Sequence, residues 1–240
     1  MDYGFCEPWH ACLPRDGGHV VGLLGTGETA ALWDRIASTY GALGVPAILT
    51  ATMPVAAPAD FPACRWIEAG REDTALPPVC CLAAEPRDGA AWPALSADQV
   101  DALPRLRPDH VVVARVDRDG DRPLKVYRDD DVRFPSRTTL ALVVMHAAAV
   151  GEPLGEVLER ADRAGPEPLA GVADTEPLTW DHLADLLLAE GGHLSRVPLD
   201  VPAVLAVTGL HEVVDSIGLF GFLARAMAEP RLPLAMLCDV

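Results

Sequence analysis

The sequence predicts an α/β fold: three layers, with a mostly parallel sheet and helices on both faces. Three observations carry this prediction. Short apolar runs recur along the chain with helical segments between them, and strands that alternate with helices give a parallel sheet covered on both sides. The runs are apolar throughout rather than alternating, as strands buried on both faces are. Half of the 240 residues are apolar, which is enough for the core of one sizeable domain. The chain divides into an N-terminal extension, residues 1–17, and a single α/β domain, residues 18–240.

The domain opens on a strand, His19-Val20-Val21-Gly22-Leu23-Leu24. A glycine turn follows, Gly25-Thr26-Gly27-Glu28-Thr29, and then a helix over residues 30–41. Gly44-Val45-Pro46 leads into a second strand over residues 47–52. A strand entering a glycine turn that opens a helix is the arrangement of a phosphate cradle, because N–H groups and the helix dipole favour an anion there. The fold is therefore expected to be P-loop NTPase-like, with Gly25, Thr26, Gly27 and Thr29 lining the ligand. This expectation needs Leu24 and Thr52 on neighbouring strands. One residue spoils the phosphate site. Gly22 and Gly27 are spaced as in G-x-x-x-x-G-K-[ST], and Thr29 fits the last position, yet Glu28 stands where the lysine belongs. A carboxylate ~4 Å from a phosphate charge repels it by roughly 1–4 kcal/mol. Nucleotide hydrolysis is not expected, and a nucleotide or Mg²⁺ stays open as a cofactor.

Residues 53–71 are rich in proline and alanine and read as loop. A short strand is expected at 79–82. Ser96 and Gln99 form a capping box that starts a helix running to about residue 103. Residues 109–116 are the most strand-like segment and end at the turn 117–121. Functional residues of open α/β sheets collect at the carboxyl ends of strands, which puts Thr50, Thr52 and Asp117 on the rim of the glycine turn. A polar connection leads to a strand at 140–145. Helices are expected at 154–164 and 179–190, the second capped by Thr179 and stopped by Gly191-Gly192. A strand at 202–207, a helix at 215–228 and a strand at 234–238 complete the domain.

The net charge of −16 argues against a nucleic acid or an anionic membrane as partner and suits a cytoplasmic protein. No apolar run reaches the ~18–20 residues of a membrane span, and residues 1–7 lack the basic and apolar regions of a signal peptide. The six cysteines show no secreted disulfide pattern. Cys80-Cys81 reads as a pair of small apolar fillers in a buried strand. Cys6, His10 and Cys12 could hold zinc or copper, or belong to an extension that packs Trp9 on the domain.

Several segments, in order, resemble the YqeC family, selenium cofactor biosynthesis proteins also described as accessory proteins of selenium-dependent molybdenum hydroxylases. The family's glycine loop V-G-A-G-G-K-T-T is here Leu24-Gly25-Thr26-Gly27-Glu28-Thr29-Ala30-Ala31. Its second strand ends in a threonine run, here Leu49-Thr50-Ala51-Thr52-Met53. Its E-A-D-G-S-R-G-R-P-L-K is represented by residues 115–125, ending in Arg122-Pro123-Leu124-Lys125, and its P-S-R-T-T by Pro135-Ser136-Arg137-Thr138-Thr139. G-x-P-L follows at Gly151-Glu152-Pro153-Leu154, and a G-G-x-x-x-x-V-P segment at 191–198. The resemblance spans residues 18–240. It implies an accessory protein in maturation of a selenium or molybdenum hydroxylase cofactor, with the hydroxylase or a cofactor-assembly protein as partner. Four positions depart from the pattern: the loop lysine is Glu28, the glutamate before the central aspartate is Arg115, the histidine of an H-R pair is Glu159, and the late N-K-x-D-like segment is Thr208-Gly209-Leu210-His211. Together they imply a member that binds a phosphate-bearing ligand or a partner in a degenerate cleft without hydrolysis.

Each candidate residue has a functional and a structural reading. Asp117 could bind Mg²⁺ at its strand end or form a turn. Lys125 and Arg137 could hold an anion or pair with one of Asp129, Asp130 and Asp131. Thr52 could donate to a ligand or to its own backbone. Glu28 could hold a metal or a substrate amine, or sit favourably at a helix start. His146 could be a general base or a satisfied rim histidine. In a diverged enzyme, Glu28, Arg115 and Asp117 would form a catalytic set of acid, cation and acid. A non-catalytic interaction protein or a homo-oligomer is the remaining alternative.

Overall fold

The structure, a computed structural model, describes residues 11–25, 27–55, 61–70, 75–84, 93–118, 120–159 and 167–238. Its centre is an eight-stranded sheet in which every pairing is parallel. The strands are β1 (Val20–Leu24), β2 (Ala47–Ala51), β3 (Ala63–Arg65), β4 (Val79–Ala83), β5 (Val111–Arg115), β7 (Leu140–His146), β9 (Ala203–Thr208) and β10 (Leu234–Leu237). A separate two-stranded ribbon joins β6 (Leu124–Lys125) to β8 (Leu158–Glu159). Across the large sheet the order is β10-β9-β7-β1-β5-β2-β4-β3.

Three layers form because side chains alternate along each strand. Val21 and Leu23 face α1 (Thr29–Leu43), which buries Leu32, Trp33, Ile36 and Tyr40 against them. On the opposite face, Val20, Val112 and Ala114 pack with Val100 and Leu103 of α3 (Ala97–Leu106). Leu24, Val143 and Met145 on that face pack with α5 (Trp180–Leu188) and α7 (Ser216–Met227). Leu13 is buried in the α1 layer, and the Tyr40 hydroxyl donates to the Pro14 carbonyl. Among the described residues, no helix is long and apolar enough to cross a membrane.

Most elements fall where the sequence puts them. Gly44 ends α1 in the left-handed region. Ser96 and Gln99 cap α3 reciprocally, and Thr179 accepts from the His182 amide at the start of α5. Cys80 and Cys81 lie buried on β4 as small fillers, and burial pushes both thiols up, Cys81 to about 12. The expected helix at 154–164 is a correction. It stops after one turn, α4 (Leu154–Val157), and residues 158 and 159 switch to β8, where Glu159 O accepts from the Val126 amide. Residues 160–164 of that helix lie outside the described residues. The proline-rich loop also holds β3 and α2 (Trp66–Ala69), an edge strand and a single turn too short to set up a periodicity. A further turn, α6 (His193–Arg196), lies in the Gly191–Pro198 segment.

The requirement that Leu24 and Thr52 occupy neighbouring strands is also overturned. β5 lies between β1 and β2, and pairs with both. The helical crossover that carries the chain from β1 to β2 skips one position, and β5 later fills it. Consecutive strands neighbour each other only about two-thirds of the time.

Candidate functional site

The strand order reverses at β1. Crossovers run to one side as far as β4 and β3, return through β5, and then continue on the other side through β7, β9 and β10. In open α/β sheets the crevice for a ligand lies outside the carboxyl ends of the strands at such a point. By that rule the place to look here is between the glycine turn after β1, the segment after β5, and the end of β7.

The turn itself is tightly packed. Gly25 has φ +148°, and a Cβ there would lie 2.7 Å from the Val144 carbonyl oxygen of β7. Gly27 has φ +73°, and its Cβ would lie 3.0 Å from the Pro123 oxygen. Only glycine fits such backbone without strain. Thr26 lies outside the described residues. Thr29 is fully buried at the start of α1.

Beneath the turn lies a buried polar chain. Asp117, with no exposed surface, accepts from the Gly25 amide at 2.9 Å and from the Tyr127 hydroxyl at 2.7 Å through the same Oδ2. Arg115, also buried, places a guanidinium nitrogen 3.9 Å from Asp117 Oδ1. Burial and the charge of Asp117 push the Tyr127 phenol well above its usual value, so it stays a donor. The Tyr127 ring packs 4.9 Å from the His193 ring. Burial lowers His193 to about 4, so it is neutral, and its Nε2–H donates to the Lys125 carbonyl at 2.9 Å. Lys125 Nζ pairs with Asp131 at 3.2 Å and Glu159 at 3.7 Å. The glycine turn thus directs its first amide at a carboxylate of its own chain.

A second cluster lies on the rim, on the β7 side of β1. Glu28 Oε2 is 3.5 Å from His146 Nδ1, at the end of β7. His146 Nδ1 also shares a hydrogen bond of 3.2 Å with Thr208 Oγ1, at the end of β9. Glu28 Oε2 is shielded from solvent and makes no hydrogen bond among the described residues. Glu28 leads into α1, but its side chain caps none of the helix amides.

The candidate residues therefore separate. Arg115 and Asp117 meet beneath the turn, whereas Glu28 turns toward His146 on the other side of β1. Thr52 is buried two strands from the turn, and its hydroxyl donates to the Arg133 carbonyl at 2.6 Å. Lys125 takes the ion pair with Asp131 that was its structural alternative. Arg137 is exposed, and its backbone amide is held by Asp101 at 2.7 Å. Among the described residues, no three His, Cys, Asp or Glu side chains gather as a metal set around Asp117 or elsewhere. Of the N-terminal Cys and His candidates, Cys6 and His10 lie outside the described residues. Sequence reasoning missed Tyr127 and His193. Tyr127 lies two residues beyond the R-P-L-K match, and His193 inside the G-G-x-x-x-x-V-P segment, which is the signal that could have singled them out. Comparison with family models, with curated proteins and with solved structures finds no match in any of the three.

Proposed function

We propose that this chain is a binding protein of the YqeC-like accessory class. Its crevice at the end of β1 holds a ligand or partner and does not turn over nucleoside triphosphate. One observation carries the lack of turnover: two carboxylates stand where a triphosphate needs cations and free amides. Asp117 takes the Gly25 amide, and Glu28 replaces the lysine at the start of α1. The adjacency of Leu24 and Thr52 that a triphosphate cleft was expected to need is absent, so no part of this proposal uses it. The accessory role is supported by the order of the motifs along residues 18–240. Glu28 Oε2, an acceptor without a hydrogen bond, suits a ligand that offers an amine or another donor.

The test has two arms. In the first, the melting temperature of the full chain is followed with ATP, GTP or CTP and Mg²⁺. A ligand at 100 times its Kd would stabilise by ~2.7 kcal/mol; the expectation is no shift and no phosphate release. Stabilisation accompanied by hydrolysis would overturn the binding-only reading. In the second arm, a molybdenum hydroxylase is matured in cells with and without the chain. Equal hydroxylase activity in both would remove the accessory role.

A second reading has its own observation. The Glu28 carboxylate stands within ion-pair distance of the His146 imidazole, which Thr208 holds by a hydrogen bond, and with His146 as general base the rim could act on a small substrate. A bell-shaped pH profile abolished by His146→Gln, in any reaction found for the chain, would favour it.

A further inference from the structure

Helix α7 is apolar on both of its sides. Leu219, Phe222 and Ala226 are buried in the core. On the opposite side Ile217 is 84% exposed, Phe220 69% and Met227 51%, and Val214, just before the helix, is 97% exposed. Positions 217, 220, 221, 224 and 227 follow three- and four-residue helical steps and so form one stripe along the helix. A helix that is apolar all round is ordinarily covered all round. The stripe is also uncharged. In a chain of net charge −16, Arg225 is the only charged residue between 216 and 228, and it turns to Asp181 and Asp185 of α5. Beside α7 the sheet ends at β10, whose partner among the described strands is β9 alone, with Leu234 42% exposed.

We propose that this face is the interface of a homodimer, with α7 packed antiparallel against α7 of a second copy about a twofold axis. Three arguments favour a second copy. The first is shape. Ile217 and Phe220 project while Gly221 and Ala224 lie low in the same stripe, so a twofold sets the large residues of each copy over the small residues of the other, as an isologous contact requires. The second is charge. A strongly acidic surface repels its own copies, and this stripe lets two of them meet without burying a carboxylate. The third is area. The exposed side chains of the stripe and Leu234 offer on the order of 600 Å², the upper end of what a monomer leaves uncovered. Two such faces bury roughly 1,200 Å², where specific interfaces begin.

Sedimentation velocity of the full chain, from sub-micromolar to about 100 µM, tests this against the range of ordinary dimer affinities. The wild type is expected to sediment as a dimer. Phe220→Asp and Ile217→Asp should each raise the dimer dissociation constant by on the order of 100-fold, as loss of a central anchor does. Leu199→Asp, at a residue 87% exposed outside the stripe, should leave the dimer intact. Circular dichroism checks that each variant folds, and Ala224→Arg repeats the test should one of them fail. A wild type that stays monomeric throughout would overturn the proposal, even if the stripe captured vesicles or another protein. So would a dimer that survives charged substitutions at 217, 220 and 224.

Discussion

Asp117→Asn tests whether the buried polar chain anchors the glycine turn. Asp117 Oδ2 accepts two hydrogen bonds, from the Gly25 amide and the Tyr127 hydroxyl, in a fully buried site. An asparagine can keep both bonds only by turning its amide oxygen to the Oδ2 position, which sets its NH2 donor toward the Arg115 guanidinium and leaves both bonds without their charge assistance. Hydrogen bonds to a charged group contribute about 1.5–3 kcal/mol each, and an unsatisfied buried group adds its own desolvation cost. The change also removes the negative charge 3.9 Å from the Arg115 guanidinium. Together these place the cost at roughly 3–5 kcal/mol, the range for breaking a buried pair. In a chain of this length that lowers Tm by on the order of 10 °C. Urea denaturation gives the free energy directly. Tyr127→Phe removes the same bond from the other side and should cost about 1.5–3 kcal/mol. The double variant should fall short of the sum by about 1 kcal/mol or more, because both changes delete one shared contact. A cost below ~1 kcal/mol for Asp117→Asn, or strict additivity with Tyr127→Phe, would refute the chain of contacts beneath the turn.

Three further outcomes are expected. Gly25→Ala sets a Cβ 2.6 Å from Val144 Cβ at φ +148° and should destabilise by several kcal/mol; Gly44→Ala, with φ +66° and open space around it, should cost only ~1 kcal/mol, and equal costs in denaturant melts would count against the packing described. His193 has a folded-state pKa lowered from 6.5 to about 4, so the unfolded chain binds the extra proton between those values; its contribution, at most roughly 3 kcal/mol, is complete above pH ~6.5 and lost as pH falls toward 4, and His193→Leu should flatten that limb of the stability–pH curve. Cys80 and Cys81, buried and with thiols pushed up, should resist a thiol reagent at neutral pH until the chain unfolds, while half-exposed Cys12 labels before them; mass mapping of the labelled peptides reads the order.

The layers were legible because continuous apolar runs and capping residues are local signals. The runs at Val20–Leu24, Ala47–Ala51 and Val111–Arg115 each need burial on both faces, and Ser96 and Thr179 each announce a helix by themselves. Strand order was not legible, because a crossover of given length reaches either the next position or the one beyond. β5 entered between β1 and β2 on that account, and Thr52, still at the carboxyl edge of the sheet, was set two strands from the glycine turn. The helix expected at 154–164 failed for a similar reason. Its first turn has the right residues, but Leu158 and Glu159 gain a partner strand, β6, that is remote in sequence. The site was half legible. Strand-end position put Asp117 at the glycine turn, where its carboxylate meets the Gly25 amide, but the contacts of Asp117 and His146 came from partners that no spacing encodes. Tyr127 reaches Asp117 over ten residues, Thr208 reaches His146 over sixty-two, and Lys125 proved to be the charge partner of Asp131.

The glycines of the turn carry a last inference about what such a motif reports. A Cβ on Gly22 would meet the Phe134 ring at 2.6 Å, one on Gly25 would meet Val144, and one on Gly27 would meet Pro123. All three glycines are therefore demanded by contacts of the chain with itself, before any ligand is considered. The position between the turn and the helix is under no such demand. Its side chain reaches the rim, where Glu28 faces His146. Glycine spacing in this protein thus follows from packing, while the chemistry of the proposed site rests on Glu28, whose position no Cβ contact of this kind dictates. A substitution at Glu28 should accordingly change ligand preference with little effect on stability, and one at Gly25 should do the reverse. Were Glu28→Gln to destabilise the fold as much as Gly25→Ala does, the carboxylate would be structural and the crevice would have to be sought elsewhere on the rim.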